Sequence, residues 1–342
     1  MANYATSVHV KAQSKLIGAF QSNELRFRSP EVHKLFVRNS SIMLPDYQAL
    51  KVSSDRPIEA NYFTRTSRAL GGAPSHNHTG AQGDSAVITP TFTPESDKFA
   101  STLKEANNKI YDMQELQISK FNDVIANFAE GLETVATAFL FANRSGVNVA
   151  TADGTFDATD DTFEIDNATL GNMAIDITKT VMDVNKYQGI AYDVVCDSIA
   201  WRKFRFLANQ GNGNSENTSF QFGGVTFIHD PTLTAAAAGL VSAYSKGYWI
   251  AVPVGSVAAL PWIPTQNRQG ISTTVNTYGM INNPIDGIDL ALHTYETRSD
   301  GTALGGQLQD VTIETQIWTD ISYLTNPLSN AGESSLMAFA FV

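Results

Sequence analysis

One long, unbroken apolar stripe limits what this chain can fold into more than any other feature. Ile118, Phe121, Val124, Ile125, Phe128, Leu132, Val135, Phe139 and Leu140 recur at steps of three and four residues, the spacing that lines up side chains on one face of an α-helix. With Met113 and Leu116 the pattern runs from Asp112 to Ala142, roughly 45 Å at 1.5 Å per residue. No second stripe of similar length accompanies it, so a helix bundle is disfavoured. The expectation is a spine helix lying across a sheet. The segment from Phe99 to Ile110 fits either a continuation of the helix or the end of a preceding strand, because FASTLKE satisfies both periods.

The text on either side supplies the sheets. PIEANYFTRTSR and DSAVITPTFTP are rich in β-branched and aromatic residues, and LGGAPSHNHTGAQG between them is almost all turn formers. That predicts a long two-stranded hairpin over residues 56–94. An isolated hairpin is marginal in water, so this one must rest on its own body or on a neighbour. Residues 1–50 read as an extended arm with one short helix around PEVHKLF. Beyond the spine, VNVATADGTFDATDDTFEIDN reads as short strands with solvated acidic turns. Leu170 to Lys186 reads as an amphipathic helix with Leu170, Met173, Ile177, Val181 and Val184 on its apolar face. IAYDVVCDS reads as a buried strand and SIAWRKFRFLANQ as a short helix, and strands dominate from Phe220 to the end. The class is α+β, with helices and strands segregated rather than alternating.

Charge is unevenly placed. Residues 1–68 carry ten lysines and arginines against five acids, a net of +5, which leaves −16 on the rest of a chain of formal charge −11. A basic arm on an acidic body suits a polyanion, an acidic neighbour of the same kind, or simply solvent. No run reaches the eighteen or so apolar residues of a membrane span, and the N-terminal text has no secretory pattern. The single cysteine, Cys196, cannot form an intrachain disulfide and sits in a predicted strand, where a buried inert thiol is expected.

Candidate chemistry is thin. His76 and His78 have a spacing that can bind a transition metal, but on a turn-rich tip without a rigid support. The acids Asp153, Asp157, Asp160, Asp161, Glu164 and Asp166 lack the ligand spacing of an EF-hand loop. Phe222-Gly223-Gly224 extends into neither nucleotide-binding fingerprint. His229 and Asp230 are adjacent on a strand, so they face opposite sides and cannot form a triad pair. In WRKFRF, helical spacing puts Trp201, Phe204 and Leu207 or Ala208 inside and Arg202, Lys203 and Arg205 in water, although the segment could pass for a nucleic-acid patch.

Taken in order, these pieces resemble the major capsid proteins of tailed bacteriophages, the Hong Kong 97-type fold. DSIAWRKFRFLANQG followed by FQFGGVTFIHDP carries the most specific part of the likeness. The resemblance implies an N-terminal arm over residues 1–50 and an extended loop over 51–98. It implies a peripheral domain with the spine helix over 99–168, an axial domain over 169–300, and C-terminal strands over 301–342 returning to the peripheral domain. It also implies a non-enzymatic protein without cofactors that assembles with itself, as pentamers and hexamers, into an icosahedral virion shell in the host bacterial cytoplasm. Packaged double-stranded DNA would be a nonspecific partner, and a portal and decoration proteins would be further ones, with no membrane involved. Lys11, Lys15, Arg26, Arg28, Lys34 and Arg38 of the arm are the candidates for contact with DNA or a neighbouring subunit. Tyr62, Phe63, Arg65, Arg68, His76 and His78 of the extended loop are the candidates for contact between subunits. No lysine occurs between Lys51 and Lys98, so the covalent loop cross-link of some members is not expected. An arm of this length leaves little room for a built-in scaffolding segment, which makes a separate scaffolding protein the expectation. Two alternatives remain: an encapsulin-like compartment holding cargo enzymes, and a hydrolase with a metal at His76 and His78.

Overall fold

The computed structural model describes residues 14–15, 18, 28–63, 85–102, 113–144, 153–184, 191–210, 219–222, 225–273, 276–298, 311–326 and 336–342. The stripe becomes helix α3 (Met113–Ala142), which follows α1 (Glu31–Met43), α2 (Tyr47–Lys51) and strands β1 (Ala60–Phe63), β2 (Ser85–Ile88) and β3 (Thr93–Thr102). Ile118, Phe121, Val124, Ile125, Phe128, Leu132 and Leu140 are buried in the main core, with Val135 and Phe139 packed at its margin. By length and composition Glu115–Ala142 could also cross a membrane, which the sequence reading did not anticipate. Its stripe is already used inside the core, as expected of a spine. Phe99 belongs to β3, which settles the ambiguity at FASTLKE in favour of a strand for residues 99–102.

Downstream come β4 (Thr155–Asp157), β5 (Thr162–Ile165), α4 (Ala174–Met182), β6 (Tyr192–Cys196), α5 (Ser198–Gln210), β7 (Ser219–Phe222), β8 (Val225–His229), α6 (Thr232–Ala238) and β9 (Tyr248–Pro253). They are followed by β10 (Val257–Trp262), α7 (Thr265–Arg268), β11 (Asn276–Asn282), β12 (Asp289–Arg298), β13 (Val311–Thr325) and β14 (Met337–Phe341). One sheet has the order β4-β5-β14-β9-β6-β8-β7. Its β14–β5 and β6–β8 pairs are parallel and the others antiparallel. The two-residue alternation of strands splits its side chains between two cores. Val194, Cys196, Phe227, Trp249, Ala251, Phe339 and Phe341 join α4 and α5 on one face. Val195, Ile228, Tyr248, Ile250, Val252, Ala338 and Ala340 join α1, α3 and α6 on the other. A sheet covered on both sides needs continuous apolar text, and YWIAVP and MAFAF are fully buried strands of that kind.

The second sheet is organised by β13. Residues 311–318 pair with β12 and residues 320–325 with β10, while β3 runs along 312–321. Because β3 and β10 both pair with Asp320 and Ile321, they lie on opposite edges, so β12 and β10 follow one another along the edge away from β3. β11 completes the sheet beside β12. β1 and β2 form a separate two-stranded antiparallel ribbon, Ala60 opposite Ile88 through Phe63 opposite Ser85. Met43, Leu44, Tyr47 and Ala60 pack with Ala258, Leu260 and Leu324 at its root.

Three sequence expectations change. The helix in the N-terminal region spans thirteen residues and is part of the core, with Val32, Leu35 and Phe36 buried against α3. The helix expected from Leu170 starts at Ala174 after a 3-10 turn over Gly171–Met173, which rotates the buried face to Ala174, Ile175, Ile177, Val181 and Met182. Met173 and Val184 are left more than half exposed. The acidic turns are not merely solvated: Asp160 is buried and its two oxygens accept the N–H groups of Val241 and Ser242 at 3.2 and 2.8 Å. Asp157 accepts the hydroxyls of Ser242 and Tyr244 at 2.9 and 3.1 Å, so the hairpin clamps the turn after α6.

Candidate functional site

The proline before α1, Pro30, offers no side-chain cap, so the first amide groups of this buried helix need acceptors from elsewhere. Glu133 of the spine supplies them, accepting the N–H of Val32 at 3.1 Å and of His33 at 2.9 Å. Burial pushes the Glu133 carboxyl above the usual range, and those two hydrogen bonds and Arg28 pull it back. Arg28, at the described edge of the arm, lies 3.7 Å from Glu133 and makes a close ion pair with Asp230. Its own pKa is lowered by burial, against which Glu133 and Glu130 act. Asp230 is fully buried, accepts the Thr137 hydroxyl of the spine, and takes the N–H and hydroxyl of Thr232 at 2.9 and 2.7 Å. The strand end at His229-Asp230 is therefore an anchor for the arm.

His229 turns the other way. Its Nε2 is 3.1 Å from the Ser198 hydroxyl and its ring stacks on Trp201 with centroids 5.4 Å apart. Burial lowers its pKa, helped by Arg28 and Arg205. His33 is also buried: Nδ1 is 2.9 Å from the Tyr323 hydroxyl, which donates to the Leu132 carbonyl at 3.2 Å, and Nε2 is 3.5 Å from Asp286. These contacts join α1, α3, β13 and the β11–β12 turn. They link polar groups of four elements, with His33 Nε2 left without a hydrogen bond among the described residues, while the part-buried Ser198 hydroxyl faces His229.

Part of the uneven charge of the sequence is absorbed inside the chain. Arg38 pairs with Asp193 at 2.5 Å, Lys51 with Asp289 at 2.7 Å, and Arg56 with Asp320 at 2.7 Å while lying over the Trp262 ring. Asp193 and Asp320 are almost completely buried. With Arg28–Asp230, four cations of the basic stretch are fastened to carboxylates of the acidic body. For these four the acidic partner is the same subunit.

Among the candidate contacts of the arm, Arg28 and Arg38 are held in this way, Lys34 pairs with Glu31 at 3.2 Å, and Lys15 is exposed. Lys11 and Arg26 lie outside the described residues. Tyr62 and Phe63 are in β1; Arg65, Arg68, His76 and His78 lie outside the described residues. Among the described residues no three His, Cys, Asp or Glu side chains gather to hold a metal. Cys196 is fully buried and burial raises its thiol pKa well above the ordinary value. Reading the sequence missed Glu133 and Asp230 as structural hubs. The signal for the first was there: an acid at position 133 falls inside the apolar stripe, beside Leu132 and Ala136.

No family model and no curated protein sequence matches the chain. Solved structures do match it. The capsid asymmetric unit of cyanophage A-1(L) is 10% identical and covers 92% of this chain and 93% of that chain, with a TM-score of 0.53. The capsid asymmetric unit of cyanophage Pam1 is 12% identical, with coverages of 89% and 93% and a TM-score of 0.47. The capsid of cyanophage P-SCSP1u is 10% identical over 83% of each chain, with a TM-score of 0.46. Since the A-1(L) likeness takes in nearly the full length of both chains, this chain has the mixed helix-and-sheet fold of tailed-phage capsid proteins.

Proposed function

We propose that this chain is the major capsid protein of a tailed phage, assembling as pentamers and hexamers into an icosahedral shell around double-stranded DNA. The observation that carries the reading is the capsid fold over almost the whole chain. A second observation agrees with it: among the described residues the β1–β2 ribbon is paired with neither larger sheet and touches the second only at its root, beside which Ile58 and Val87 are exposed. Two paired strands bury too little to hold themselves in water, and a neighbouring subunit would cover them. Tyr62, Phe63, Arg65, Arg68, His76 and His78 are assigned to that contact. Lys15, with Lys11 and Arg26 of the same segment, is assigned to DNA or to a neighbour. Contact with DNA would be nonspecific and would weaken with salt. The role is structural, with a separate scaffolding protein, a portal and decoration proteins as partners in the virion.

Negative-stain electron microscopy of the protein, expressed with and without the scaffolding product of the same phage, tests the reading. Closed shells of uniform size are expected. Small monodisperse oligomers under both conditions would overturn it. Nuclease-protected double-stranded DNA is expected inside native particles, and one defined protein cargo in its place would point to an enzyme-holding compartment.

A further inference from the structure

Position 131 of the spine is a glycine in the middle of a thirty-residue helix. Glycine weakens a helix interior relative to alanine, and is usually explained by a close approach of some other part of the chain. None exists among the described residues: a Cβ at Gly131 would meet none of their atoms within 4 Å. The space belongs to a crevice of about 160 Å3 between α3 and β3, lined by Glu95, Ser96, Asp97, Asn127, Phe128 and Gly131.

Its polar lining is acidic and incompletely used. Asp97 accepts the Asn127 side-chain amide at 3.0 Å and the Lys98 N–H at 2.7 Å. The Glu95 side chain, half-buried, has no hydrogen bond or ion pair among the described residues, and burial raises its pKa. Two carboxylates and an amide are a sparse set for a divalent cation, which takes six or more oxygens. They suit an ammonium or a guanidinium, whose fork of donors matches a carboxylate. Phe128 and the bare helix backbone at Gly131 suit the aliphatic stem of such a side chain.

We propose that this crevice receives a lysine or arginine side chain from a second copy of this chain, with Gly131 keeping the entry open and Glu95 as the counter-charge. The occupant is argued from charge: the crevice is acidic, and of the ten lysines and arginines in the first 68 residues of the same chain only four are fastened, among the described residues, to carboxylates of the acidic body, which leaves others, the exposed Lys15 among them, for a second copy. The inference rests on the assembly proposed above.

Wild type, Gly131→Ala, Gly131→Leu and Glu95→Gln are compared as free subunits by thermal melting, then as assembling protein by light scattering and electron microscopy under the conditions that close wild-type shells. Gly131→Ala should melt about 1 °C higher than wild type, as a helix interior relieved of glycine. Gly131→Leu should melt no lower than wild type and yet assemble at least tenfold more slowly. Glu95→Gln should fold normally and assemble several-fold more slowly, with a weaker dependence on salt. Closed shells from Gly131→Leu and Glu95→Gln at the wild-type rate overturn the crevice while leaving the capsid reading intact. Wild type that never closes shells removes the capsid reading, and this one with it.

Discussion

Removing the Glu133 carboxylate tests the anchor that joins α1 to the spine. Glu133→Ala deletes the only acceptor among the described residues for the Val32 and His33 amides at the start of a helix with no side-chain cap of its own. Loss of an ordinary N-cap costs about 0.5–2 kcal/mol, and each buried amide left unsatisfied costs about 1–3 kcal/mol. Against this, the variant no longer buries a carboxylate whose raised pKa records a desolvation penalty. A net loss of about 3 kcal/mol follows. For 342 residues, at about 2.1 cal/mol/K per residue, the unfolding entropy is about 0.7 kcal/mol/K. The melting temperature of the free subunit should therefore fall by about 4 °C. Glu133→Gln keeps one carbonyl acceptor and loses only the charge, so it should fall by roughly a third of that. Differential scanning calorimetry, with tryptophan fluorescence in urea as a second probe, reads both variants. An alanine variant within about 1 °C of wild type, or a glutamine variant as damaged as alanine, would refute the capping argument.

Three further outcomes are expected. The folded pKa of His229 lies below its ordinary value of 6.5, so its contribution to stability is present above that value and lost as pH falls through the folded pKa. His229→Gln should therefore show a smaller drop in melting temperature than wild type between about pH 7.5 and pH 5, and an equal drop would contradict the assignment. Arg38→Ala leaves the nearly buried Asp193 without its cation, whereas Asp193→Asn leaves a mostly exposed arginine to water. The first should cost about 1–2 kcal/mol in urea denaturation and the second less, after allowance for screening at Arg38. Gly247 has φ +131°, and a Cβ there would sit 2.9 Å from the Phe341 ring and 3.2 Å from the Ala200 nitrogen. Gly247→Ala should cost about 2–4 kcal/mol and reduce soluble yield, and a variant as stable as wild type would show that this turn can relax.

What the sequence made legible follows from range. The spine could be read because its stripe repeats within one element, and DVTIETQIWTDISYL and MAFAF declared themselves as strands by alternation or continuous apolarity. The 174–182 helix was placed, with Ile177 and Val181 buried as expected, but Met173 and Val184 fall off its buried face, because the 3-10 turn at Gly171–Met173 resets the register and periodicity does not reveal where a turn ends. TLTAAAA, which forms α6, went unread: seven residues hold too little pattern to separate helix from loop. The partner of the basic stretch was illegible for another reason. Net charge is compatible with an acidic partner or with solvent alone, and Arg28 meets Asp230 across 202 positions and Arg56 meets Asp320 across 264. Only the fold brings such groups together. The acid at 133 was the one long-range contact with a local clue, a carboxylate where the stripe called for an apolar residue.

The pairing of β3 with β13 has a mechanical meaning. The ribbon enters the body through β3, whose ten residues from Thr93 to Thr102 are bonded in register to Thr312–Ile321. A tug along the strand axis loads that whole ladder in shear, so its bonds must fail together rather than one after another. β13, about 50 Å long at 3.3 Å per residue over fifteen residues, spreads the tension into β12 at one end and β10 at the other. The subunit thus behaves as a tie rod with a riveted lap joint: force arriving at its most slender projection leaves through its longest strand.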